Sequence, residues 1–170
     1  AGSTDTLKMS ASAKEIISEE TIKEKIGPDA IYAEGNPVAY RKLVDECNYV
    51  IIPTLTINTT AKVANAINDN LLTNIIYRSM SVGKPIIAAI DGCCPDNEVR
   101  NKMGFKVTEA YKAKLRSNLE AMQSYGIVLT SAKNLFKKVN KVLAGSISFS
   151  NVRKAESKAE AKTVKSTEKA

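Results

Sequence analysis

Apolar runs and polar breaks alternate along the chain at spacings that predict alternating strands and helices. Two runs, Tyr49-Val50-Ile51-Ile52-Pro53 and Pro85-Ile86-Ile87-Ala88-Ala89-Ile90, are continuously apolar. Such runs without polar alternation predict parallel strands covered on both faces. Residues 126–130 predict a third strand of that kind, and residues 6–10 and 30–33 predict two short ones. Between them lie helical patterns. Ile16, Ile17, Ile22 and Ile26 recur near the helical period, predicting one helix over residues 11–26 that Gly27-Pro28 stops. The turn Glu34-Gly35-Asn36-Pro37 leads to a helix over 38–47 with Val38, Leu43, Val44 and Cys47 inward. Further helices are predicted over 57–68, 71–82 (Gly83 as its stop), 97–103, 108–124 and 131–140, and an edge strand over 141–149.

Strands alternating with helices imply βαβ units and a parallel sheet with helices on both faces. The expected fold class is therefore α/β: a three-layer Rossmann-like or flavodoxin-like domain over residues 1–150. Residues 151–170 form a basic tail, from Lys154 onward almost wholly Lys, Glu, Ala, Ser and Thr with hardly any large apolar side chain, of low complexity and unable to offset its own ordering entropy.

Composition narrows the chemistry. The chain has no histidine, which removes Ser-His-Asp and Cys-His arrangements and any imidazole base. Three cysteines, Cys47, Cys93 and Cys94, form neither a disulfide framework nor Cys-x-x-Cys metal spacing, and point to a reducing, cytoplasmic compartment. Cys93-Cys94 reads either as a thiolate site or, more often for free cysteines, as two small packed residues. No run reaches the length of a membrane span, and residues 1–10 carry no apolar signal core. Of the formal charge of +7, the tail holds +3, and basic charge alone gives only non-specific attraction to nucleic acid.

In open α/β sheets ligands bind beyond the carboxyl ends of strands. Three stretches leave strands in that direction: Ser10-Ala11-Ser12, residues 53–60, and Asp91-Gly92-Cys93-Cys94-Pro95. The second carries Thr54, Thr56, Asn58, Thr59 and Thr60. Asn58 or Thr59 would serve as a plain helix cap, but a cap needs only one such residue. The rest suit the donors and acceptors of a planar, uncharged heterocycle.

Residues 54–70, Thr-Leu-Thr-Ile-Asn-Thr-Thr-Ala-Lys-Val-Ala-Asn-Ala-Ile-Asn-Asp-Asn, resemble a motif of the homo-oligomeric flavin-containing cysteine decarboxylases. There the motif reads Pro-Ala-(Ser/Thr)-Ala-Asn-Thr, then Ala-Lys-(Leu/Ile)-Ala and an Asp-Asn-Leu segment. Ser10-Ala11-Ser12-Ala13 is similar to the Thr-x-Ser-Ala after that family's second strand. The resemblance implies flavin mononucleotide (FMN) as cofactor. Ser10 and Ser12 would touch its phosphate or ribityl chain, and Thr54, Thr56, Asn58 and Thr59 would line the isoalloxazine ring. Asn58 matches an asparagine that also meets substrate carboxylate in decarboxylating members, whereas Asp69 and Asn70 match structural positions. It further implies a homo-oligomer, a trimer or a multiple of trimers, with flavin near subunit contacts.

Two departures shape the functional expectation. Tyr40 stands where decarboxylases carry their histidine, and a phenol is a poor base near neutral pH. Asp91-Gly92-Cys93-Cys94 replaces the family's Pro-x-Met-Asn substrate loop. Cysteine decarboxylation is therefore not expected; the dipicolinate synthase flavoprotein subunit is a nearer kind of relative. The family also begins with a strand, a Gly-Ser phosphate loop and a helix, for which Ala1-Gly2-Ser3-Thr4 is too short; either further residues precede these or the phosphate half of the site is incomplete. The sequence thus reads as an FMN-binding flavoprotein in electron transfer or flavin reduction with a redox partner protein, or as a flavin-dependent accessory subunit. The alternatives are an assembly subunit that has lost flavin and, more weakly, a polyanion binder acting through the tail.

Overall fold

A computed structural model describes residues 6–33 and 40–145, and for Ala11 and Ser12 the backbone only. Among the described residues there are five strands: β1 (Thr6–Met9), β2 (Ala30–Ala33), β3 (Val50–Ile52), β4 (Ile86–Ala89) and β5 (Val128–Thr130). Every pairing is parallel, as the apolar runs predict, in two groups, β1-β2 and β3-β4-β5. Among the described residues β1 and β3 are each hydrogen-bonded on one side only.

β4 is the strand covered on both faces. Ile86 and Ala88 join Ile52, Leu55, Val63, Ile76, Leu119 and Met122 in one core. Those partners come from β3, the loop after it, and the helices α4 (Ile57–Ala64), α5 (Leu71–Ser81) and α7 (Glu109–Ser124). Ile87 points to the other face and packs with Val139 and Val142 of α8 (Leu135–Leu143). Helix, sheet and helix make the three layers expected of an α/β domain. β3 departs from expectation. Ile51, read as covered, is 40% exposed: it shares a face with its register partner Ile87, but α8 on that face packs against β4.

The pattern over 11–26 yields two helices rather than one, α1 (Ala11–Ile16) and α2 (Glu19–Lys25). Ile17 is extended (φ −140°, ψ 134°), and the Ser18 hydroxyl accepts the Thr21 N–H at 3.2 Å to start α2. Of the four isoleucines only Ile22 is buried; Ile16, Ile17 and Ile26 are exposed. In α3 (Tyr40–Glu46) Val44 is buried, while Val38 and the turn at 34–37 lie outside the described residues. α4 stops four residues short of the predicted 68. The N–H groups of Ala66 and Ile67 bond back to the carbonyls of Val63 and Lys62, and Ala66 takes φ +56°. Near the carboxyl end, α6 (Glu98–Lys102) starts at Asn97 and α7 at Thr108, as read. The edge strand predicted over 141–149 is corrected: Lys141 to Leu143 complete α8, and Gly145 (φ +69°) ends it. Residues 146–149 and the tail fall outside the described residues.

Candidate functional site

The loop after β3 is pinned from below. The Leu55 N–H bonds to Ala89 O at 2.9 Å, extending the β3-β4 ladder beyond the strand, and the Leu55 side chain is fully buried. Alternation along extended backbone then turns the flanking Thr54 and Thr56 outward, and both are exposed. Gly92, in the loop after β4, presses against the same point. A Cβ there would stand 2.6 Å from Leu55 O and 3.4 Å from the Thr54 methyl. Asp91 accepts the N–H of Ala132, which ties in the loop after β5. The three carboxyl-end loops of β3, β4 and β5 therefore form one braced edge.

At the start of α4 the structure divides the polar side chains by task. Thr56 is the cap: its Oγ1 accepts the Thr59 N–H at 3.2 Å and donates to Thr59 Oγ1 at 3.1 Å. Thr60, 2% exposed, donates back to Thr56 O at 2.8 Å. Thr59 is buried as well. The cap falls on Thr56 rather than on Asn58 or Thr59, because it must precede the first helical residue, Ile57. Thr54 and Asn58 remain exposed. The N–H groups of Ile57 and Asn58, in the first turn, have no carbonyl four residues back within the helix to bond.

Ser10 is a cap too, its Oγ accepting the Ala13 N–H at 3.3 Å at the carboxyl end of β1, with Ser12 following in α1. The Ser12 side chain lies outside the described set. Asn70 and Asp69 are structural, as read. Asn70 and Thr73 form a reciprocal capping box at the start of α5, and Asp69 pairs with Lys62 at 2.7 Å. Cys93 is buried among core side chains, and burial pushes its thiol up from the ordinary value, against thiolate chemistry. Among the described residues no cluster of acidic, cysteine or histidine side chains suits a metal.

Two hollows lie away from Thr54 and Asn58. One of about 270 Å³ lies between α4, α5 and the end of α7, lined by Val63, Asn68, Ile76, Tyr77 and Tyr125 among others. A shallow one lies at Lys106, Val107, Thr108 and Tyr111. The edge at β3 presents Thr54, Thr56 and Asn58 exposed. Sequence reading missed two parts of it, Leu55 and Gly92. The Thr-Leu-Thr alternation carried the signal for Leu55; nothing local marked Gly92, whose constraint comes from another loop.

The model of the Flavoprotein family matches residues 3–152. The chain belongs to the Flavoprotein family. Solved structures agree on the fold. A variant of EpiD complexed with a substrate peptide superposes at TM-score 0.53 with 21% identity, over 74% of this chain and 63% of that one. The peptidyl-cysteine decarboxylase EpiD gives 0.53 and 20%, over 74% and 68%. A dodecameric FMN-dependent Ubix-like decarboxylase from Escherichia coli O157:H7 gives 0.53 and 13%, over 74% and 63%. This flavoprotein chain thus spans less than two thirds of the length of the first and third of these. No curated protein matches it in sequence. Among its described residues no helix is long and apolar enough to cross a membrane.

Proposed function

We propose that the chain binds FMN along the carboxyl edge of its sheet, as a redox flavoprotein or a flavin-dependent accessory subunit. The observation that carries this is the platform at α4. Thr54 and Asn58 are exposed and the N–H groups of Ile57 and Asn58 have no partner within the helix, while Leu55 and Gly92 brace the backbone behind them. These groups fit the carbonyl and N–H edge of a flat heterocycle, with no charge to neutralise. Ser10 and Ser12, at the end of β1, are assigned to the phosphate or ribityl end. Thr56 and Thr59 hold the platform's shape, and their contact with the ring would run through lone pairs the cap leaves free. Bound flavin would supply reversible acceptance of electrons or hydride; the chain's own residues bind and orient it.

Family membership and an FMN-dependent neighbour support the cofactor. The dodecameric neighbour supports a homo-oligomer, in which a second subunit would roof the platform. With no histidine in the chain, cysteine decarboxylation by an imidazole base is not part of the proposal. The exposure of Thr54 and Asn58 favours one rival, an assembly subunit without flavin.

Absorbance and mass of the ligand released on denaturing the purified protein separate the two. Flavin bands and the FMN mass are expected. Asn58→Ala should weaken FMN by about tenfold, the worth of one hydrogen bond to the ring edge. A colourless protein that takes up no added FMN would leave the flavin-free subunit as the better account.

A further inference from the structure

Two arginines of the chain meet carboxylates in the usual way. Arg78 reaches Asp45 through two hydrogen bonds, and Arg116 reaches Asp96 through two more. Arg100, in α6, does not. Its Nη1 is buried, and among the described residues it has no hydrogen-bond partner. A buried cationic donor without an acceptor is costly, because water has been taken from it and nothing has replaced it. Acidic side chains close by in sequence are committed elsewhere or turned to solvent. Asp96 is held by Arg116, Asp91 by the Ala132 N–H and Glu109 by Lys112, while Glu98 is exposed.

The backbone nevertheless sets this guanidinium in place. Asn97 starts α6 by accepting the Arg100 N–H at 3.0 Å. At the other end Gly104 takes φ +93°, and the N–H groups of Gly104 and Phe105 bond back to the carbonyls of Asn101 and Arg100. A glycine stop of this form brings the residue after it against the last turn of the helix. Here it lays the Phe105 ring on Arg100, whose Cζ stands 4.1 Å from the ring centroid. The ring covers a face of the guanidinium and leaves its in-plane N–H donors for an acceptor. α6 follows the loop after β4, at the carboxyl end of the sheet. Burial raises the Cys93 thiol, and Thr60 of α4 and the positive charge of Arg100 both oppose the rise. Arg100 therefore acts on the point where the β4 loop meets the first turn of α4.

We propose that Arg100 receives an oxyanion, a carboxylate or a phosphate, of a ligand bound at the carboxyl ends of β3 and β4. The planar fork of a guanidinium matches two oxygens of either group. Among the described residues the Phe105 stack is what holds the head, so a small rotation about the side chain turns Nη1 to an arriving anion. Two sources supply this chemistry: the phosphate of FMN itself, or a small acid lying against the flavin. The anion site stands on Arg100 and α6; only the flavin as its neighbour rests on the proposed function.

The test follows the Arg100 side-chain N–H signals of the full chain by NMR, as sodium phosphate, succinate or FMN is added at constant ionic strength. A saturable shift is expected with at least one of them. By calorimetry, Arg100→Gln should weaken that anion at least about tenfold, the lower end for hydrogen bonds to a charged group. Riboflavin tells the sources apart. If Arg100→Gln weakens FMN but not riboflavin, the phosphate of FMN is the anion. If FMN binding is unchanged and succinate binding is lost, the anion is a small acid. The proposal is overturned if none of the three moves the Arg100 signals, or if the shifts never saturate and report an adventitious ion only. It is equally overturned if a folded Arg100→Gln chain binds all three as tightly as before. Should that variant not fold, the signals of the unsubstituted chain decide alone. A chain that binds succinate through Arg100 but takes up no FMN keeps this site and loses the proposed function.

Discussion

Leu55 and Gly92 hold the candidate site in place although neither has a polar side chain. Leu55 fills the core beneath the loop, and Gly92 lets the loop after β4 come within contact of the Leu55 carbonyl. Gly92→Ala would push a methyl to 2.6 Å from that oxygen, which is backbone and cannot swing away. Destabilisation of about 1–3 kcal/mol is expected from such overpacking, measurable by urea unfolding. FMN affinity should fall with it, since Thr54 moves with the loop. Of the residues read as ligand-facing, Thr54 and Asn58 lie free at the surface, while Thr56 and Thr59 are engaged with each other. Local sequence shows that five polar side chains crowd one loop. It does not show which of them the helix start will consume, because that depends on where the helical backbone begins.

At the scale of elements, caps decide where helices begin and end. Ser18, followed by Glu19 and Glu20, carries the signature of a helix start, and the isoleucine spacing across it masks the break. α4 ends on Ala66 in the left-handed region, a conformation that glycine adopts without strain. Ala66→Gly should therefore stabilise the chain by about 0.5–1 kcal/mol, the relief being partly offset by the greater freedom of unfolded glycine. A higher urea midpoint at unchanged slope would register it; a lower midpoint would show that the Ala66 methyl makes packing worth more than its strain. At the start of α5, Asn70→Ala should cost about 1 kcal/mol by removing the reciprocal cap with Thr73.

Over the whole molecule, charge and pH behave simply. Without histidine, no side chain with an ordinary pKa titrates between about pH 5 and 8. Hydrogen bonds from Arg78 hold the Asp45 carboxyl below the usual aspartate value, and Arg116 does the same for Asp96. A depressed folded pKa means that the pair's contribution is present above the unfolded value, about 3.9, and is lost as pH falls through the folded one. Tm should be flat from about pH 5 to 8 and drop below about 4. Asp45→Asn should soften that acid limb and change the neutral Tm little, because both partners are at the surface. A Tm that slopes between pH 5 and 8 would contradict this account.

The sequence by itself determined the α/β alternation, the parallel sense of the strands and the family motif on the loop into α4. These follow from short-range facts: side-chain period, glycine and proline punctuation, and residue types at fixed spacing. Tertiary structure alone decided which apolar strand is covered on both faces, which threonine caps α4, and that the strands pair in two groups, β1-β2 and β3-β4-β5. Each of those depends on what packs from elsewhere in the chain. Ile51 and Ile87 look alike in sequence, and only the packing of α8 against β4, the strand of Ile87, tells them apart.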